Sequence, residues 1–276
     1  MKKKNITLQK LQVIVLILSC LGLFSCEDVI QADLDTGEAK LVVDAEILWQ
    51  KGTDGAVQTV KLSRMAGYYV PATPKVSGAQ VYIENSTGTQ FAFPEVEPGV
   101  YTCTNFVPAL NETYTLHVTV DGEVFTATET LMPVTEIHNL IQDADGGFTG
   151  DEMEVAIYFN DPANQPNYYL ISFITPTLAY PDYELTDDGL TDGNELKADY
   201  SHEDLVAGDS VQITLRGISH PFYNYMNLIL SAADSNPFAT PPANIKGNVL
   251  NQDANGSEAL GYFRLCESDY RDYTIQ

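Results

Sequence analysis

The chain reads as a mainly β protein. An N-terminal immunoglobulin-like or transthyretin-like β-sandwich is followed by a second sandwich-like β-domain with one amphipathic helix. Three observations point there. After Lys40, apolar and polar residues alternate with period two over most segments. Turn clusters of Gly, Asn, Asp and Pro separate these segments at roughly 8–12-residue spacing, the rhythm of a sandwich. A helical period shows clearly in one place, near residues 220–232.

Taken in order, Leu41–Leu48, Val57–Ser63, Ala79–Glu84, Thr89–Phe93 and Gly99–Thr104 read as strands. Thr113–Val120 alternates most cleanly, with Tyr114, Leu116, Val118 and Val120 on one face. Asp121-Gly122 then joins it to Glu123–Thr128, a two-residue link that wants positive φ at both positions and so marks a hairpin. Met132-Pro133-Val134 closes this first unit, and a boundary is expected near residue 135. Beyond it, Met153–Phe159, Tyr168–Thr175, Val211–Leu215 and Leu260–Leu265 read as strands. Pro176 to Asn194 reads as a long loop. Ser219 can cap a helix with Pro221 in its first turn, and Phe222, Tyr225, Met226 and Ile229 would form the buried stripe. Asn236–Asn244, with its prolines, reads as a loop. The organisation expected is therefore 1–25 signal peptide, 26–39 lipidated cysteine and tether, 40–135 first sandwich and 136–276 second β-domain.

The first residues carry an address. Lys2, Lys3 and Lys4 precede an apolar run, Leu11–Phe24, that is short of the roughly 20 residues a membrane span needs. It ends in Leu23-Phe24-Ser25-Cys26, which resembles the lipobox of bacterial lipoproteins, with Cys26 as the lipidated first mature residue. Several acyl chains on one cysteine would give stable anchoring where a single chain is marginal. Glu27 and Asp28 follow at once, and acidic residues in that place resemble a surface-export signal. Expected localisation is therefore the outer membrane, lipid-anchored and facing outward.

Charge narrows the partners. The 276 residues hold 38 Asp and Glu against 14 Lys and Arg, a net charge of −24. Removing residues 1–25 takes away Lys2, Lys3, Lys4 and Lys10 and leaves the body more acidic still. Such a chain cannot neutralise phosphates, so no nucleic-acid partner is expected, and anionic lipid would repel it. Hydrophobic residues at 44% suffice for a packed core.

A series of blocks then carries a family resemblance. They are Ala39–Ala45, Val60–Arg64, Val76–Ala79, Pro98–Tyr101, Leu131–Val134, Phe159–Pro162, Pro237-Phe238, Pro241–Ile245, Gly247–Val249 and Leu260–Phe263. In that order, after the lipobox, they resemble the Bacteroidetes cell-envelope lipoprotein family known as domain of unknown function 4249. The resemblance implies association with TonB-dependent outer-membrane receptors. It implies no catalytic residue.

The chemistry of sites is sparse. His117, His138, His202 and His220 show no metal-pair spacing, and no GxSxG elbow, GxGxxG turn or Walker loop occurs. Asp143–Glu154 begins like a calcium loop, but Gly147 and Phe148 stand at its fifth and sixth positions, against the pattern. Asp187, Asp188, Asp192, Asn194 and Glu195 form a second acidic cluster in the long loop. Neither yields an assigned ligand: no catalytic, cofactor or metal residue is named, and Cys26 is the one site residue. Cys103 and Cys266 read as two unpaired buried thiols rather than a disulfide, and Tyr68, Tyr69, Tyr180 and Tyr183 as loop tyrosines able to serve an interface. Three functions stay open. A non-catalytic accessory or binding component of a receptor system for nutrient uptake is the leading one. A surface adhesin or glycan-binding module without a receptor partner is the second, and an envelope enzyme with an unrecognised site the third; a glycan or a peptide is the ligand class expected.

Overall fold

The computed structural model describes residues 39–67, 72–233, 245–253 and 255–276. Cys26, Tyr68, Tyr69 and the loop Asn236–Asn244 lie outside them. The first half forms β1 (Leu41–Gln50), β2 (Gln58–Arg64), β3 (Gln80–Asn85), β4 (Gln90–Ala92), β5 (Glu95–Glu97), β6 (Val100–Cys103), β7 (Thr113–Val120) and β8 (Glu123–Thr130). The second half forms β9 (Ile137–Gly146), β10 (Glu152–Asn160), β11 (Tyr168–Ile174), β12 (Asp182–Asp187), β13 (Glu195–His202) and β14 (Ser210–Gly217). Helix α1 (His220–Ala233), β15 (Leu250–Asn251) and β16 (Ala259–Thr274) follow. The protein is thus mainly β, with an immunoglobulin-like sandwich in its first half. The β7–β8 hairpin turns as its sequence dictates, with Asp121 at φ 53° and Gly122 at φ 84°.

Three sheets result. The largest runs β12-β11-β14-β16-β1-β2-β6-β5, a second runs β15-β8-β7-β3-β4, and a third runs β13-β10-β9. β16 is the spine. Its first part lies parallel to β1, from Leu41↔Ala259 to Gln50↔Ser268, and its last part antiparallel to β14, from Arg216↔Ser268 to Ser210↔Thr274. Side chains alternate between faces, so this register fixes which cores form. Val43, Ala45 and Ile47 of β1 and Phe263 and Leu265 of β16 meet the five-stranded sheet in the first core. Ile171, Phe173, Ile213 and Leu215 stand on that same face and meet Val155, Ile157 and Phe159 of the three-stranded sheet in the second core. Both small sheets therefore cover one face of one large sheet.

Near the expected boundary at residue 135, Leu131 belongs to the first core and Val134 to the second, but strand pairing does not divide there. Val249, Phe263 and Leu265 belong to the first core although they lie far beyond it in sequence. The segment after β8 crosses the face of the large sheet and is held by buried carboxylates of β16. The Val134 amide donates to Glu267 at 2.8 Å and the Ile137 amide to Asp269 at 2.7 Å. Gly217 lets this segment pass, because a Cβ there would sit 1.9 Å from the Pro133 carbonyl oxygen.

Two further expectations change. The loop Pro176–Asn194 contains β12, an edge strand whose Asp182, Glu184 and Asp187 hide its period. β9 and β13 flank β10, and their polar positions dilute the alternation in the same way. Helix α1 starts as expected, with the Phe222 amide donating to Ser219 Oγ at 3.3 Å. Its stripe is narrower than the sequence implies: Phe222 is buried, Tyr225 and Met226 are half-buried against Leu170 and Tyr262, and Ile229 lies outside that cluster. The helix covers the reverse face of the large sheet.

Candidate functional site

Three carboxylates converge at one end of the second core. Asp161 follows β10, and Asp188 and Asp192 lie in the turn between β12 and β13. The register Asn160↔Glu195 brings the two turns together. One oxygen of each carboxylate lies within 4.8 Å of the others, with Asp161 and Asp188 buried and Asp192 exposed. Asp161 accepts the Tyr169 hydroxyl at 2.6 Å and the Gly193 amide at 3.0 Å. Asp188 accepts the Asn167 amide at 2.9 Å, and Asp192 the Asn164 amide at 2.8 Å. Burial, the hydrogen bond to Asp161 and the charges of Asp161 and Asp188 push the Tyr169 hydroxyl far above its ordinary range, so it stays a donor. No Lys, Arg or His makes an ion pair with the three among the described residues. Chemically these are hard oxygen donors of the type calcium takes, and they would supply part of its usual 6–8 ligands.

The sequence clusters resolve differently. Of the second cluster, Asp188 and Asp192 enter this group. Asp187 instead accepts the Gly189 amide at 2.9 Å and the Tyr223 hydroxyl at 2.8 Å, and Glu195 pairs with His138 at 3.0 Å. Asp161 was not in either cluster; its one sequence signal is the block Phe159–Pro162. Asp143–Glu154 is a β-hairpin, in which Glu154 pairs with Lys197 at 2.7 Å.

A second feature lies on the reverse face of the large sheet beneath α1. A cleft of about 200 Å³ is lined by Tyr183, Phe222, Tyr225 and Tyr262 above a charged floor. Arg264 meets Asp44 at 3.1 Å and Glu46 at 3.3 Å, and Arg216 meets Glu46 at 3.1 Å. The Arg264 guanidinium also stands 5.6 Å from the Phe222 ring centre. Burial would raise the Glu46 carboxyl, but the two guanidinia outweigh it and hold it below its ordinary value. The charges of the floor are mutually satisfied, and Arg264 links them to Phe222 of α1.

Cys103 and Cys266 are unpaired and buried, and burial pushes the Cys266 thiol up to about 12. His117 stacks on Tyr82 and His220 on Tyr168. Among the described residues, no helix is long and apolar enough to cross a membrane.

These features define a mainly β, immunoglobulin-like sandwich protein. The chain belongs to the family described as Domain of unknown function (DUF4249), whose model matches residues 27–271. No curated protein matches it. Among solved structures it is similar to a two fibronectin type-III domain segment from chicken tenascin, at 12% identity and TM-score 0.21 over 58% of this chain and 83% of that one. It is also similar to a cytokine receptor complex, at 12% identity and TM-score 0.27 over 64% of this chain and 91% of that one. A DUF4785 family protein from Legionella pneumophila matches at 12% identity and TM-score 0.26, over 67% of this chain and 53% of that one. At such scores these likenesses add nothing to the fold read from the strand order.

Proposed function

We propose that the chain is a non-catalytic, lipid-anchored protein of the outer membrane, exposed at the cell surface, that serves a TonB-dependent receptor as a binding or accessory component in nutrient uptake. The observation that carries this reading is Leu23-Phe24-Ser25-Cys26 at the end of a short apolar run, with Glu27 and Asp28 directly after it. Cys26 takes the lipid in this reading. A body built from one long sheet braced by two smaller ones supports a binding role, since rigid sheets hold loops in fixed positions.

Metabolic labelling with a palmitate analogue tests the anchor. The wild-type chain should take label and Cys26→Ala should lose both label and membrane association; undiminished label in the variant overturns the assignment. Purification from detergent-solubilised envelopes tests the partner. A stoichiometric β-barrel protein is expected, and recovery of the chain alone counts against the accessory role.

A further inference from the structure

The second core ends in a tip whose chemistry differs from the rest of the body. The β9–β10 hairpin, the β11–β12 and β13–β14 loops and the end of β16 all emerge there. Pairings Glu152↔Gly146, Met153↔His202, Ile174↔Gln212 and Ser210↔Thr274 put these strand ends level with one another. The two sheets are tied at this level, where the Tyr273 hydroxyl donates to Gln142 Oε1 at 3.0 Å and the Gln276 amide to the same oxygen at 2.9 Å. Each loop carries an apolar side chain outward. Phe148 is 104% exposed, Tyr180 83% and Val206 58%.

Around them the charge has one sign. Asp143, Asp145, Asp151, Glu203 and Asp204 are exposed at this tip. Residues 142–152, 175–182, 202–210 and 272–276 contain no Lys or Arg. His202 is the one basic side chain there, 3.9 Å from Asp204. Lys197, further along β13, is already paired with Glu154 at 2.7 Å and Asp199 at 2.9 Å. Elsewhere among the described residues every arginine, and Lys40, Lys51 and Lys246, lies in an ion pair, which leaves Lys61 and Lys75 as exposed lysines of the first half, too few to match five acids. A second copy therefore does not fit the tip.

The geometry points to a docking surface for a different protein, one that presents basic side chains around an apolar socket. Exposed aromatics supply contact area at the centre of an interface, and complementary charge at its rim steers the encounter. Anionic lipid is disfavoured by the same acids. Position agrees: β16 spans 16 residues, about 50 Å at about 3.3 Å per residue, and Leu41 starts β1 beside its opposite end. This inference rests on the anchored reading above, in which the N-terminal side faces the membrane and the tip faces away from it.

In the native host, p-benzoylphenylalanine replaces Phe148, Tyr180 or, as control, Leu190 in the full-length chain. Leu190 is 100% exposed and acid-flanked, but lies in the β12–β13 turn at the other end of the core. Positions 148 and 180 should crosslink to the same protein, at least tenfold more than position 190, through a segment carrying Arg or Lys close to the link. Combined Asp143→Asn, Asp145→Asn and Asp151→Asn should cut the adduct at position 148 at least fivefold, with an unchanged melting curve. Equal adducts at 190, insensitivity to the charge changes, an adduct with lipid, a partner segment without basic residues, or no adduct would each overturn the inference. Palmitate labelling of the same cells keeps the two readings apart: an adduct without label leaves the docking surface standing and removes the anchor, and label without adduct does the reverse.

Discussion

Gly217→Ala tests whether the two cores are one mechanical unit. A Cβ at 217 would lie 1.9 Å from the Pro133 oxygen, whereas real Cβ atoms stay beyond 3.0 Å. The obstacle is backbone, so no side chain can swing aside. The crossing segment must retreat by about an ångström, and overpacking of this kind costs about 1–3 kcal/mol. Retreat also stretches the Val134 amide from Glu267 and the Ile137 amide from Asp269, now 2.8 and 2.7 Å. Losing one hydrogen bond to a buried charge adds about 1.5–3 kcal/mol. The total, on the order of 3–6 kcal/mol, is a large share of the roughly 5–15 kcal/mol that holds a protein folded. At about 2–4 °C per kcal/mol for a body of this size, the melting temperature should fall by roughly 10–20 °C. The melt followed by calorimetry and circular dichroism should remain a single transition, because β16 runs through both cores. Gly122→Ala, at φ 84° with nothing within 4 Å of its Cβ, is the control and should cost only about 1–2 kcal/mol of backbone strain. A Gly217→Ala melt within about 2 °C of wild type, or two separate transitions, would refute the reasoning.

Three other perturbations probe different elements. Phe222→Ala removes the buried anchor of α1 and should cost about 3–5 kcal/mol by urea midpoint, whereas Ile229→Asp, outside the buried cluster, should cost within about 1 kcal/mol. Burial pushes Glu184 up to about 7, with Asp199 and Asp182 adding to it against the hydrogen bond from the Asp199 amide. A raised carboxyl favours the protonated fold, so this contribution is complete below pH 4.5 and is lost as pH rises through 7. Glu184→Gln, which has no such proton to lose, should therefore melt higher than wild type at pH 8 and match it at pH 4.5; a constant difference across that range would sink the assignment. In EDTA, Asp192→Asn keeps an oxygen for the Asn164 amide while removing one of three crowded charges, so thermal stability should rise, and a clear fall would mean that the three carboxylates do not repel one another.

Legibility in the sequence followed solvent exposure on one face only. β7 and β8 alternate cleanly because one side is core and the other is Thr and His in water, and Asp121-Gly122 fixes their turn. β12 lies at an edge and is at most half-buried on either side, so its alternation carries little contrast. The last half of β16 lies beyond the strand read at Leu260–Leu265 because Glu267, Ser268 and Asp269 are polar yet buried, and the Val134 and Ile137 amides that satisfy the two carboxylates come from far away in sequence. The blocks that carry the family resemblance were visible singly, but their meaning is pairwise. Asn248 bonds both the amide and the carbonyl of Phe263 at 2.8 Å, and the Tyr101 hydroxyl donates to the Val76 carbonyl at 2.9 Å while accepting the Ala79 amide at 3.0 Å. A chain read in one dimension offers the partners and not the contact. The same holds for Asp161, which joins Asp188 and Asp192 only through the register of β10 with β13.

The net charge of −24 looks in sequence like a uniform solvated coat. In the fold it separates into groups with different work. Glu267 and Asp269 are interior acceptors that hold the crossing segment, and their burial is tolerable because each receives an amide and a cationic partner, Lys51 at 3.0 Å and Arg271 at 2.7 Å. Asp44 and Glu46 neutralise the two guanidinia under α1. Asp161 and Asp188 are buried with hydrogen bonds but without such a cation. Asp143, Asp145, Asp151 and Glu203, none of them in an ion pair among the described residues, gather at the tip of the second core around side chains that solvent would ordinarily exclude. Their hydrogen bonds stay within their own turn, Asp143 taking the Asp145 amide and Asp151 the Thr149 hydroxyl, so no cation among the described residues offsets their charge beside Phe148 and Tyr180, and basic side chains of a partner would.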